Sequence, residues 1–294
     1  MMNAIRRQKY GWLFILPWLL GILIFYFYPL MSSFYYSFTE FNGFHVSRFV
    51  GFDNYAELIR DELFWISVKN TFVYAALAVP IGLVLGIFLS VMLNMKIKAQ
   101  GIYRVIFFIP TLFPIVATGV LWQWLLNSQF GLVNYVLYEL HLPQPSWFGD
   151  ELWSKPSIVF IAQWCVGSDI LVFLAGLQDI PNDYYEAATI DGSGPFRKFR
   201  YITLPLMSPV ILYSVIMAMI GALQQFVLPF IVSNGTGGPA NSTLFYNMLL
   251  YKNAFALFKM GQANAMAWMM FAAVMALTIF LNWTSKRWVH YMGE

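Results

Sequence analysis

Charge is scarce in this chain of 294 residues: Asp, Glu, Lys and Arg make up 11% of it, against about 25% in an ordinary soluble domain. With 60% hydrophobic residues, a water-soluble globule would carry large exposed apolar patches and aggregate. A soluble enzyme and a disordered segment are therefore excluded. The excess of base over acid is also small, 17 Lys and Arg against 14 Asp and Glu, so no basic field for nucleic acid is present. Cysteine is almost missing. Cys165 alone makes neither an internal disulfide nor a thiolate cage for zinc. His45, His141 and His290 are scattered and have no metal-ligand spacing. No G-x-x-x-x-G-K-[ST] sequence occurs, so no nucleotide-holding loop of that type exists. No nucleophile–base motif stands out, which leaves an enzyme reading without residues. What remains is a polytopic membrane protein in contact with lipid.

Long apolar runs are what the chain does have. A helix needs about 20 mostly apolar residues to cross roughly 30 Å of hydrocarbon. The charge-poor stretches predict six such helices, near 11–36, 70–95, 105–126, 157–177, 206–232 and 265–285. Barrel strands would be about ten residues long and alternating, so the fold class is all-α. The first run is longer than a signal-peptide core and no small-x-small site follows it; it reads as a retained span. With no short-period repeat, the chain reads as one membrane domain over 1–294.

Basic residues set the sidedness. Arg6, Arg7, Lys9, Lys96, Lys98, Arg104, Arg197, Lys198, Arg200, Lys286 and Arg287 fall on one side of this topology. The other side holds Arg48, Arg60, Lys69, Lys155, Lys252 and Lys259. By the positive-inside rule both termini are cytoplasmic. The expected outer loops, near 38–69, 128–156 and 233–264, carry turn residues such as Asn42-Gly43 and Gly237-Gly238-Pro239.

The connection at 181–205 is polar yet patterned as a helix–turn–helix elbow. Asp183 is placed to cap a helix, with Glu186 three residues later as in a capping box. Gly192 stops that helix, and Pro195 suits the first position of the next. The same residues carry a resemblance. Glu186-Ala187-Ala188-x-x-Asp191-Gly192, then Phe199-x-x-Ile202-x-Leu204-Pro205, resembles the EAA loop of ATP-binding-cassette importer permeases; Ser193 stands where Ala is more usual. Gly51-Phe52-Asp53-Asn54-Tyr55, Asn70-Thr71, Gly237-Gly238-Pro239 and Tyr251-x-x-Ala254-Phe255 are similar to carbohydrate-uptake permeases of the maltose, lactose and glycerol-phosphate type. The resemblance implies a six-helix, type I importer permease in a prokaryotic plasma membrane. It implies a second permease subunit, usually forming a heterodimer, two ATPase subunits gripping the elbows, and an extracytoplasmic binding protein delivering a sugar. Glu186, Ala187, Ala188, Asp191, Gly192 and Gly194 would then couple to the ATPase. No cofactor is expected on this chain; ATP and Mg belong to the partner ATPases.

Candidates for a solute path come from polar groups within spans. Asp169 is the sole acid inside an expected span, where a charge must face protein or water. Ala162, Cys165, Asp169 and Gly176 fall on one helical stripe. Gln224 and Gln225 are expected mid-span, and Gln123 and Trp124 close the third span. Planar hydrogen-bonding groups beside an aromatic face suit a sugar. Interhelical hydrogen bonding of the amides, tight packing at Asp169 and an interfacial belt for Trp124 are the competing readings. An ion-coupled secondary transporter is the competing function; that class usually shows more intramembrane ionisable groups and internal repeats.

Overall fold

The computed structural model describes residues 14–95 and 98–290. Arg6, Arg7, Lys9 and Lys96, part of the sidedness argument, lie outside the described residues, as do positions 11–13 of the first expected span. The chain forms two compact units, one from the stretch up to Asp61 with Leu250–Ala272, the other from Glu62–Leu249 with the stretch from Ala273 onward.

The first unit's described residues begin with a 24-residue helix, α1 (Phe14–Ser37), predominantly apolar and without charge. A two-stranded hairpin follows, β1 (Thr39–Phe41) against β2 (Val46–Phe49), antiparallel with Glu40 opposite Arg48. Helix α2 (Asp53–Arg60) comes next. Asn54 explains the Gly-Phe-Asp-Asn-Tyr segment structurally. Its buried amide donates to the carbonyls of Ser37 (2.8 Å) and Thr39 (3.0 Å), satisfying the end of α1 and the start of β1 together.

The second unit holds most of the helices. Helix α3 (Glu62–Asn94) has 33 residues, about 50 Å at 1.5 Å per residue. It starts eight residues before the expected span, because Lys69 need only leave the hydrocarbon, not the helix. The expected third span is two helices, α4 (Gln100–Phe108) and α5 (Ile115–Leu125), bent by 97°. Phe113 precedes Pro114 and is held extended at φ −76°, ψ 138°, which ends the helical path there. A short helix, α6 (Leu132–Glu139), follows.

The expected fourth span is also a bent pair, α7 (Glu151–Trp164) and α8 (Gly167–Gln178), at 52°. No proline causes this bend. Gly167 lies directly over the backbone of Phe107 and Phe108, a close approach that any side chain would block. The break cuts the predicted stripe between Cys165 on one side and Asp169 and Gly176, both on α8, on the other; Gly176 packs on Val210.

The elbow comprises α9 (Asn182–Ile190) and α10 (Pro195–Lys198). A π-turn at Phe199–Thr203 and a turn at Leu204–Leu206 carry the second arm into α11 (Ser208–Leu223). Pro205 lacks the N–H that an α-turn would bond back four residues, and Leu204 N–H reaches Phe199 instead. Helix α12 (Val227–Val232) continues the fifth span after an interruption at 224–226. Helices α13 (Tyr246–Tyr251) and α14 (Met260–Ser285) complete the chain, the last starting five residues before the expected 265. Among the described residues, four helical stretches are long and apolar enough to cross a membrane, six if each bent pair is one crossing.

The second unit's core joins α8, the elbow and α11. Phe173, Leu177, Ile180 and Met207 are buried together, with Leu83, Ile87, Tyr185 and Val210 against them. Gly86 of α3 gives Phe173 its place; a Cβ there would lie 2.9 Å from the ring.

Candidate functional site: an exposed elbow and an intramembrane cleft

The elbow is built by its backbone. Helix α9 starts from Pro181 at φ −59°, ψ 136°, with no side-chain cap. The expected Asp183–Glu186 capping box is therefore absent. Asp183 sits inside the first turn, where the helix dipole favours an acid. The stop at Gly192 is as expected. At φ +73° its N–H donates to Thr189 O (3.0 Å), and Ser193 N–H donates to Ala188 O (2.9 Å). This pair of bonds is the Schellman arrangement. Gly194 is extended at φ −72°, ψ 167° and precedes Pro195.

Side chains then tie the arms. Lys198 Nζ donates to Thr189 Oγ1 at 2.6 Å, and Thr189 Oγ1 donates to Tyr185 O at 2.6 Å. The Tyr185 hydroxyl and Thr203 Oγ1 share a bond of 2.9 Å. Glu186, Ala187, Asp191, Gly192 and Gly194 are exposed, and Ala188 is half-buried. Beside them Ile190 is 87% and Phe196 80% exposed. An apolar surface at the tip of a braced elbow is suited to burial against another protein.

The cleft lies between α3, α7–α8 and α11, with a volume of about 290 Å³. Two of the five predicted path residues, Asp169 and Gln225, line it together. Gln225 leaves the helix because Pro229, four residues on, cannot bond its carbonyl and crowds it. Its Oε1 accepts from Phe226 N–H (3.1 Å), and its Nε2 donates to the Tyr74 hydroxyl (3.4 Å). Residues 224–226 are thus a non-helical break in the fifth span, not its helical middle as expected. Irregular backbone at membrane depth is tolerated where it lines a cavity.

Tyr74, Gln163 and Ser214 also line the cleft. Gln163 Nε2 donates to Ala78 O at 3.3 Å, and its Oε1 sits on Gly82. Gln163 was legible as an amide inside an expected span; Tyr74 and Ser214 carried no signal within apolar runs. The other three candidates lie elsewhere. Gln123 Nε2 donates to Ile231 O at 3.5 Å, an interhelical bond. Gln224 is exposed and its carbonyl accepts from Asn247 Nδ2 at 2.8 Å. Trp124 is 71% exposed at the end of α5.

A polar network also missed in the sequence holds the loop before α13. Lys155 Nζ donates to Asn70 Oδ1 and to Ser242 O, each at 3.2 Å. Asn70 Nδ2 donates to Asn241 O (2.7 Å) and Leu244 O (3.0 Å). Asn70 is one helical turn from Tyr74, so this clamp and the cleft share a face of α3.

Comparison with known proteins places this geometry. Residues 78–288 match the family model of the binding-protein-dependent transport system inner membrane component. The chain is 37% identical over 296 residues to the probable ABC transporter permease protein YesP of Bacillus subtilis, covering 99% of this chain and 96% of that one. It is 33% identical to the trehalose/maltose transport system permease protein MalF of Thermococcus litoralis, covering 93% and 92%. It is 35% identical to the sulfoquinovosyl glycerol transport system permease protein SmoG of Agrobacterium fabrum, covering 79% and 75%. Its fold matches, at TM-score 0.85 and 22% identity, a chain in the crystal structure of a bacterial alginate ABC transporter with its alginate pentasaccharide-bound periplasmic protein, covering 98% and 97%. The chain therefore belongs to the family of inner-membrane components of binding-protein-dependent transport systems, and is a multi-pass permease subunit of an ATP-binding-cassette importer.

Proposed function

We propose that this permease carries a sugar or oligosaccharide delivered by an extracytoplasmic binding protein. It pairs with a second permease, and two separate ATPase subunits grip its elbow and that of its partner. Both termini and the elbow lie on the cytoplasmic side. ATP and Mg reside on the ATPases; this chain binds no cofactor and performs no catalysis. Relatives named for trehalose/maltose and sulfoquinovosyl glycerol transport support the solute class. The ion-coupled alternative gains no support from these likenesses.

The observation that carries the reading is the route from elbow to cleft. The second arm of the elbow runs into α11, which brings Ser214, Ala218 and Gly221 to the cleft. Met207 N–H bonds Thr203 O and Ile211 N–H bonds Met207 O, both at 2.9 Å, so backbone hydrogen bonding continues across the junction. The first arm follows α8, which carries Asp169 at its other end. Leu177, Ile180, Tyr185 and Met207 pack as one core between them. A push on the elbow therefore displaces two walls of the cleft as rigid bodies against α3. Glu186, Ala187, Ala188, Asp191, Gly192 and Gly194 form the pushed element. Asp169, Gln225, Gln163 and Tyr74 offer hydrogen-bonding groups to hydroxyls in the cleft.

The test is uptake of a radiolabelled saccharide into proteoliposomes holding the complete assembly. Uptake is expected only with internal ATP, the ATPases and the loaded binding protein. Uptake that persists without the ATPases, or follows an ion gradient alone, contradicts the reading.

A further inference from the structure

Trp124, which takes no part in the cleft, lines a second hollow of about 590 Å³. Trp124, Phe130, Tyr135 and Tyr138 face it, with the amides of Gln129 and Gln144. Each of the four rings is more than 60% exposed. None of the residues lining the hollow is charged.

The wall is held in shape. Asn127 Oδ1 accepts from the N–H groups of Gln129 (2.9 Å) and Phe130 (3.3 Å). Buried Asn134 donates to the carbonyls of Ser128 and Pro145, each at 3.2 Å, and accepts from Trp147 Nε1 at 2.8 Å. Gly131 is packed against the backbone of Asn127 and Leu125. The Trp124 and Phe130 rings meet edge-on at 6.3 Å. These bonds fix the segment from 124 to 147 before any ligand arrives, which lowers the entropy cost of binding.

The chemistry of the lining selects the ligand. A pyranose ring offers a flat face of C–H groups and a rim of hydroxyls. Exposed ring faces pack on the first, and uncommitted amides bond the second. The volume falls within the range of small-molecule sites, about 300–1,000 Å³. An interfacial belt would spread its rings around the protein at headgroup depth, whereas these gather on one concavity with amides between them.

We propose that this hollow is a saccharide-binding subsite distinct from the Asp169 cleft. Trp124, Phe130, Tyr135 and Tyr138 stack on sugar faces, and Gln129 and Gln144 bond hydroxyls. It rests on the sugar-import reading and, with that topology, lies on the outer side, where it receives the saccharide before the cleft does.

Saturation-transfer NMR on the complete transporter in nanodiscs, without binding protein, tests it. The probe is a mixture of maltotriose, cellotriose, xylotriose, arabinotriose and trigalacturonate. Transfer to the ring-face C–H protons of at least one is expected. Trp124→Ala and Tyr135→Ala should each weaken that binding by about tenfold. Trp124→Phe, which keeps a ring face, should recover most of it. Transfer to none of the five overturns the proposal, as does transfer that the alanine variants leave unchanged. Quenching of Trp124 by brominated lipid, or its shielding by the binding protein, with no sugar transfer, overturns it in favour of a membrane or protein contact. ATP-driven sugar uptake with no transfer condemns the subsite alone; loss of ATP dependence condemns the import reading instead.

Discussion

Asp169 and Gln225 reach the same cleft by different routes. Asp169 is placed by the first turn of α8, just after the bend that Gly167 permits. Gln225 is placed by a break that Pro229 enforces. Asp169→Asn keeps shape and loses the charge and one acceptor; it should slow transport by about tenfold, the value of roughly 1.4 kcal/mol in a barrier. Expression and assembly should match the parent. Transport at the parental rate would remove Asp169 from the path. Gly192 is a second informative position. A β-branched residue at φ +73° costs about 1–2 kcal/mol and loosens both bonds of the turn. Gly192→Val should insert in the membrane normally yet copurify with less ATPase and transport poorly. Unchanged copurification and transport would show that the turn is not a coupling element.

The bends are the elements' main departure from straight spans, and their causes differ in how visible they were. Pro110 and Pro114 lie at the break between α4 and α5, yet the apolar run reads as one span over 105–126; the break and its 97° size came from the structure. The bend between α7 and α8 was invisible because its cause is a neighbour: the α4 backbone lies over Gly167. Gly167→Ala pushes a methyl into that backbone, and overpacking of this kind costs about 1–3 kcal/mol. The thermal midpoint of the purified assembly should fall, while Gly101→Ala, with open space around it, should leave it unchanged. Equal midpoints for both would refute the packing account. Lys155 gives the loop before α13 its anchor. Hydrogen bonds to a charged group contribute about 1.5–3 kcal/mol. Lys155→Met should therefore speed amide exchange across Asn241–Leu244 by roughly tenfold or more, with exchange in the elbow unaffected. No change in the loop would mean that Asn70 holds it unaided.

Across the whole molecule, composition, apolar length and the elbow motif were enough for the class. Charge scarcity argued against soluble readings, and the six apolar runs fall on four long helices and two bent helix pairs that are apolar enough to cross a membrane among the described residues. Gly192 and Pro195 spelled out the turn because left-handed and first-turn positions select those residues locally. The cleft was only partly legible. Asp169 stood out because an acid at membrane depth demands a reason, and Gln225 because its amide interrupts an apolar run. Tyr74 and Ser214 were silent, since their role depends on which face of a nearly uniform apolar helix turns inward, and α3 and α11 have little polar contrast around their circumference. Trp124 was grouped with the path on chemistry alone; its place beside Phe130 and Tyr135 depends on a loop conformation set by Asn127 and Asn134.

The central claim is that the elbow is the handle through which a separate motor moves the cleft. Ile190, 87% exposed at the end of α9, offers a position to probe it. With the native Cys165 replaced by Ala, Ile190→Cys should form disulfides with cysteines placed singly over the permease-facing surface of the ATPase. Their yield should change between nucleotide-free and ATP-bound states. No disulfide to the ATPase from Ile190→Cys, with any ATPase cysteine in any nucleotide state, in an assembly that still imports sugar, would contradict the account.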